Sequence, residues 1–173
     1  IFFVCSSDGQ KILFALAVGY GQLELLVVNL DGTGLKQLTE SGGVKLFPKW
    51  VHNPYLGMPE VPSNTSVAFV SGRNGQREIY SMEPSGGNVV RLTYDDSDDQ
   101  SPDWSPDGQL MVISNLQAYM VEVRTGPNEI SRVQSLPLER AGLIFHAIWS
   151  RYEPEILYVT LNFGRYELWL MDQ

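Results

Sequence analysis

Acidic side chains crowd one short stretch of the sequence, where Asp95, Asp96, Asp98 and Asp99 lie just ahead of Asp103. A hard cation such as calcium takes several carboxylate and carbonyl oxygens, so these four are the metal-ligand candidates of the chain. Their spacing is not that of an EF-hand, and a run of like charge also reads as a solvated loop. Calcium is the one cofactor the sequence raises, and no motif requires it. Asp107 sits in Ser101-Pro102-Asp103-Trp104-Ser105-Pro106-Asp107-Gly108 and has the chemistry of a ligand or an acid. A Pro-Asp-Gly step is more simply a turn, with proline fixing φ, aspartate accepting nearby N–H groups and glycine free to take φ > 0. The two histidines, His52 and His146, have no metalloprotease or serine-elbow pattern around them. Gly19-Tyr20-Gly21 lacks the third glycine of a dinucleotide loop. One cysteine, Cys5, cannot form an intrachain disulfide and reads as a buried structural thiol. No catalytic residue is assigned, and the segment is read as a non-enzyme.

The elements that position these residues emerge from internal similarity, which is sought first because a fixed period decides the fold. The frame around Trp104 recurs at Phe47-Pro48-Lys49-Trp50, at Ala147-Ile148-Trp149-Ser150, and at Cys5-Ser6-Ser7-Asp8-Gly9 with Cys5 in the tryptophan's place. The anchors at 5, 50, 104 and 149 set a period of 45 residues with one excess of 9. That excess is an insertion, Tyr55 to Ser63. Leu23 to Val28, Glu78 to Met82 and Glu167 to Met171 correspond, as do Leu38-Thr39 and Leu92-Thr93. Each period therefore holds four short β-type segments separated by glycine turns that supply the positive φ of tight hairpins.

One four-stranded antiparallel unit cannot cover both of its own faces, so four in series must stack face against face. The expected fold is all-β, a β-propeller of about four four-stranded antiparallel blades, near residues 1–39, 44–93, 101–134 and 144–173. Trp50, Trp104 and Trp149, with the Asp107-Gly108 turn, are the repeat's structural anchors. The last blade lacks a recognisable outer strand, and six blades at this period need about 270 residues, so the chain is expected to be part of a larger propeller. Hydrophobic residues make up 43% of the chain and charged ones 18%, which excludes a disordered tail. The longest apolar run, Ile12 to Val18, is too short for a membrane-spanning helix. A net charge of -8 with only 12 scattered Lys and Arg disfavours nucleic acid.

Ser66 to Gly108, with Glu78-Ile79-Tyr80, Arg91-Leu92-Thr93 and Trp104-Ser105-Pro106-Asp107-Gly108, closely resembles the repeat of TolB-like propellers. The first and fourth periods match less fully, and the third lacks the Glu-Ile-Tyr and Leu-Thr signatures. The resemblance implies a propeller of six or more blades acting as a protein-binding platform, in the periplasm, the cell envelope or outside the cell. The expected role is a non-catalytic scaffold that binds protein partners, within a larger assembly. The rival is the substrate-gating propeller of a larger serine peptidase or hydrolase whose catalytic domain lies outside these 173 residues. For the partner contact, the insertion is singled out: Tyr55, Leu56, Met58 and Val61 are apolar and stiffened by Pro54, Pro59 and Pro62, a composition suited to an ordered interface.

Overall fold

Strands with apolar side chains on both sides need a partner for each side, and the chain supplies it by building one sheet directly after another. The computed structural model describes residues 2–50, 67–94, 96, 98–106, 110–114, 118–123, 130–135 and 143–172, and every regular element among them is a strand. The first sheet comprises β1 (Phe3–Cys5), β2 (Lys11–Gly19), β3 (Gln22–Asn29) and β4 (Lys36–Gln37). The second comprises β5 (Lys45–Trp50), β6 (Val67–Ser71), β7 (Glu78–Met82) and β8 (Val90–Arg91). In the third, β9 (Gln100–Trp104), β10 (Leu110–Ser114), β11 (Ala118–Val123) and β12 (Ile130–Ser135) follow the same plan. The fourth holds β13 (Leu143–Trp149), β14 (Glu155–Asn162) and β15 (Arg165–Asp172). Within every sheet the strands lie in chain order and pair antiparallel, the arrangement that hairpin connections give. The expected strands are present, with ends shifted by at most two residues.

The Asp-Gly turns show why the repeat uses that pair. Between β1 and β2, Asp8 Oδ1 accepts from Ser6 Oγ at 2.5 Å and from the Gln10 N–H at 2.9 Å, while Gly9 takes a φ of 68°. Those bonds hold the Asp8 carboxyl below its ordinary pKa, the Ser6 hydroxyl contributing most. Asp31-Gly32 repeats the device, with Asp31 Oδ1 accepting from the Thr33 N–H at 2.9 Å. Asp107 and Gly108, the counterparts in the third sheet, lie outside the described residues.

Alternation along each strand gives every sheet a leading face toward the next sheet and a trailing face toward the one before. Leu13, Ala15, Leu25 and Val27 on the leading face of the first sheet pack with Val67, Phe69, Tyr80 and Met82 on the trailing face of the second. Ala68, Val70, Ile79 and Leu92 form the second sheet's leading face, against which Trp104 packs. Trp50, Trp104 and Trp149 each end the first strand of their sheet, each sits on its trailing face, and all three are buried. A wedge of that size removes roughly 200 Å² from water and fixes the spacing of the junction. Cys5 occupies the same place in the first sheet, but it is exposed, contrary to the buried thiol expected from sequence. The reason is topological. The trailing face that buries each tryptophan against a preceding sheet has, in the first sheet, none of the described residues packed on it.

The outer strands β4 and β8 are two residues long and need more than their ladder bonds to stay in place. In the second sheet, buried Glu78 accepts from Thr93 Oγ1 through Oε2 at 2.6 Å, and Thr93 Oγ1 accepts from the Ile79 N–H at 2.9 Å. Arg91 Nη2 donates to Glu78 Oε1 and closes the ring of contacts. The first sheet repeats this latch with Glu24, Thr39 and the Leu25 N–H, at 2.5 and 3.0 Å. Here the cation is Lys45, from the next sheet, whose Nζ lies 3.2 Å from Glu24 Oε1 with its side chain wholly shielded from solvent. Burial pushes the Lys45 ammonium below its ordinary pKa, and Glu24 opposes that shift. The Glu and Leu-Thr signatures of the repeat are thus two halves of one hydrogen-bonded unit. Thr93→Val strands a buried N–H and deprives Glu78 of a donor, and it should cost about 2–3 kcal/mol. Urea denaturation checks this against Thr93→Ser, which keeps the hydroxyl and should lose less than half as much.

Candidate functional site at the propeller axis

Four first strands run side by side at the centre of the molecule, β1 packing on β5, β5 on β9 and β9 on β13. Between them opens a cavity of about 350 Å³ lined by Phe2, Phe3, Val4, Phe47, Pro48, Lys49, Ser101 and His146. The lining has a simple rule. Phe2, Phe47, Ser101 and His146 each stand three residues before Cys5, Trp50, Trp104 or Trp149, so every sheet contributes the same repeat position.

Backbone distortion aims these side chains at the axis. Phe47 and Ser101 both have φ of 48°, and each is followed by a proline, which ordinarily pushes the preceding residue toward extended geometry. A non-glycine residue in that region costs on the order of 1–2 kcal/mol. The ladder slips at the same places, between Leu46 and Lys49 on β5, and between Val112 and Ser114 opposite Ser101-Pro102. On β13 the slip falls between Ile144 and His146. A bulge inserts a residue and redirects its neighbour, here turning one side chain inward in each of the second, third and fourth sheets, whereas β1 pairs with β2 without a slip. Phe2 and Phe47 meet across the first two strands with ring centroids 4.5 Å apart at 51°.

The cavity's polar groups are few and tied together. Lys49 Nζ lies 3.1 Å from Asp103 Oδ1, and Asp103 Oδ2 accepts from the Trp149 N–H at 2.9 Å, so one carboxylate joins the second, third and fourth sheets. His146 is half-buried, and its pKa is held below the ordinary 6.5 by burial and by the Lys49 charge, with Asp103 pulling the other way. The imidazole is neutral at pH 7. It can donate one hydrogen bond and accept another, beside Lys49 and Ser101 in a lining that is otherwise apolar and aromatic. Aromatic rings with a few polar groups, Lys49, Ser101 and His146, suit recognition of a largely apolar segment with polar anchors.

The metal candidates are placed as follows. Asp98 Oδ1 accepts from the Arg77 N–H at 2.9 Å, Asp99 is buried with its N–H donating to the Arg77 carbonyl, and Asp96 is exposed. Asp98 and Asp99 therefore tether the connection between the second and third sheets to the start of β7. Asp95 lies outside the described residues, and among the described ones no group of three or more His, Cys, Asp or Glu is arranged to hold a metal ion. Tyr55, Leu56, Met58 and Val61, with His52, also lie outside the described residues. Phe2, Phe47, Ser101 and His146 did not stand out in sequence, because the four differ in type; the offset of three from each anchor is the signal that would have found them.

Successive antiparallel sheets, stacked leading face on trailing face around inner first strands, define a β-propeller. The chain belongs to the TolB beta propeller domain family, whose model matches residues 4–172. It is 46% identical over 48 residues to the Tol-Pal system protein TolB of Geobacter sulfurreducens, covering 28% of this chain and 11% of that protein. To the protein TolB homolog of Chlorobium luteolum it is 30% identical over 126 residues, 70% of this chain and 26% of the relative. The crystal structure of TolB from Acinetobacter baumannii superposes with a TM-score of 0.73 at 23% identity, over 98% of this chain and 40% of that one. An oligogalacturonate lyase in complex with manganese aligns over 98% of this chain and 49% of its own, with a TM-score of 0.67 and 12% identity, a likeness of fold alone. The matched segment spans between a tenth and about a quarter of the length of these curated relatives.

The lowered pKa of His146 sets a pH dependence. The unfolded chain binds the imidazole proton near pH 6.5 and the folded chain only at lower pH, so stability from neutral His146 is complete above pH 6.5. It is lost as pH falls from there through the folded value. Denaturant midpoints measured across that range should drop for the native sequence and drop less for His146→Gln; equal slopes would mean the ring is not held neutral.

Proposed function

We propose that the segment is a non-catalytic protein-interaction scaffold of a Tol-Pal type system, acting in the periplasm or at the cell envelope. The observation that carries this reading is the axial cavity, to which each sheet contributes one side chain from the same repeat position, giving two aromatic rings, a hydroxyl and an imidazole, with Lys49 beside them. Such a lining offers rings and a few polar groups that can bind and orient side chains. The family match and relatives named as Tol-Pal system proteins support the assignment to that system. Among the described residues no helix is long and apolar enough to cross a membrane.

The partner contact is proposed to include the insertion, with Tyr55, Leu56, Met58 and Val61 as its apolar anchors. Isothermal titration of the chain with purified Pal of Geobacter sulfurreducens should show saturable binding at micromolar concentration. Changing Tyr55, Leu56 and Met58 together to Ser should weaken it at least tenfold with the melting temperature nearly unchanged. No heat of binding at any accessible concentration would sink the assignment. An unchanged affinity in the triple variant would remove the insertion from the contact and leave the axial cavity.

The non-enzymatic reading has its own check. Chromogenic peptidase and esterase substrates should be left intact by the chain. Turnover that disappeared in His146→Ala would reveal a hydrolytic site at the axis.

A further inference from the structure

The second sheet has the first on one side and the third on the other, and the hairpin between its β6 and β7 ends in Gly72-Arg73-Asn74-Gly75 with Asn74 and Gly75 exposed. An asparagine ahead of glycine can cyclise on its own main chain: the glycine nitrogen attacks the amide carbon, and glycine has no side chain to shield that nitrogen. Of the eight asparagines in the sequence, only Asn74 precedes glycine. Gly75 takes a φ of 93°, and a Cβ added to it would meet nothing within 4 Å, so the space around it is open. Its N–H donates to the Gly72 carbonyl at 3.2 Å, whereas the equivalent bonds of Gly9, Gly32 and Gly86 are 2.9 Å long. The attacking nitrogen is thus the least firmly held of the four. On the other side of the reacting carbon, Asn74 Nδ2 donates to the Tyr80 hydroxyl oxygen at 3.1 Å, and the Arg73 guanidinium lies 4.3 Å from the centre of the same ring. Once the amide carbon is tetrahedral its nitrogen is an amine, and a phenol at that distance can protonate it as it leaves. The Asp-Gly turns could close the same ring, but their carboxyls are held below the ordinary pKa, Asp8 chiefly by the Ser6 hydroxyl and Asp31 by that of Thr33. They stay ionised, and a carboxylate resists attack by nitrogen.

We propose that Asn74 is a self-modifying site: in the folded chain it loses ammonia and becomes aspartate and isoaspartate, with water as the only other reactant. Gly75 gives its N–H proton to solvent and its nitrogen bonds to Asn74 Cγ. The Cγ–Nδ2 bond breaks, and Nδ2 leaves as ammonia with the proton of the Tyr80 hydroxyl, which takes one back from water. The product is a cyclic imide. Water then adds to one of its two carbonyls and breaks that carbonyl's bond to nitrogen. Opening at Cγ leaves aspartate in the original main chain, and opening at the main-chain carbonyl leaves isoaspartate, whose main chain is one methylene longer. Either product adds a negative charge beside Arg73. Isoaspartate also lengthens a turn whose Gly72 N–H donates to the Val44 carbonyl at 3.1 Å, so it loosens the contact between this hairpin and the link from the first sheet.

Peptide mapping by mass spectrometry of the folded chain, held at mildly alkaline pH with released ammonia assayed in parallel, tests this. The peptide containing Asn74 should gain the mass of an acid over an amide and split into two chromatographic forms, ahead of every other asparagine peptide. Gly75→Ala should slow the conversion at least tenfold. Tyr80→Phe should slow it severalfold in the folded chain and leave the rate in urea unchanged, which separates the hydroxyl's part from that of the dipeptide. An Asn74 that stays intact in the folded native chain while the urea-unfolded chain converts overturns the proposal, and that comparison stands even if a variant fails to fold. Equal rates for folded Tyr80→Phe and native chains also overturn it, because the fold would then contribute nothing.

Discussion

The whole molecule depends on one constraint: a sheet that is apolar on both faces is stable only between two others. The sequence meets it in the second and third sheets with a bulky trailing residue, Trp50 or Trp104, that wedges against the sheet before it, and Trp149 is buried in the same place in the fourth. Because the wedge closes the first strand each time, it also fixes where that strand sits relative to the centre. The axial cavity is a by-product of the same packing. Strands held at a constant spacing by identical wedges leave identical positions facing inward.

Polar chemistry enters at the edges and holds the sheets to one another. The Glu–Thr latch secures the outer strands of the first two sheets, and in the first it borrows Lys45 from the second, so strand pinning and sheet docking share an ion pair. Breaking such a buried pair by removing one partner ordinarily costs about 3–5 kcal/mol. Asp103 has the corresponding role on the inner side, meeting Lys49 and the Trp149 N–H from two different sheets. Apolar packing thus decides that the sheets stack, and a small number of carboxylates decide in which register.

The fold was legible in the sequence because its period is carried by residues that cannot be exchanged cheaply. Tryptophan at 50, 104 and 149 and the glycine turns gave both the number of sheets and nearly every strand. Cys5 was misjudged because sequence shows which position a residue holds in the repeat and not whether another sheet lies against it. The latch was half legible: Glu and Leu-Thr recur visibly in two repeats, but their contact spans 15 residues and only the folded hairpin brings Glu78 to Thr93. The axial ring was the least legible part. Its members are Phe, Phe, Ser and His, chosen for what they face and not for how the strand is built, so no shared residue type betrays them.

That freedom of residue type at the axis has an evolutionary meaning. The bulge at Phe47 and Ser101 is set by backbone geometry and the following proline, and it turns inward whatever side chain it carries. Those two positions can therefore change type while the wedges and latches a few residues away remain under separate selection, with Phe47 tied to Phe2 by their ring contact. Such a scaffold can drift toward new binding preferences in small steps while the residues that specify its fold stay fixed.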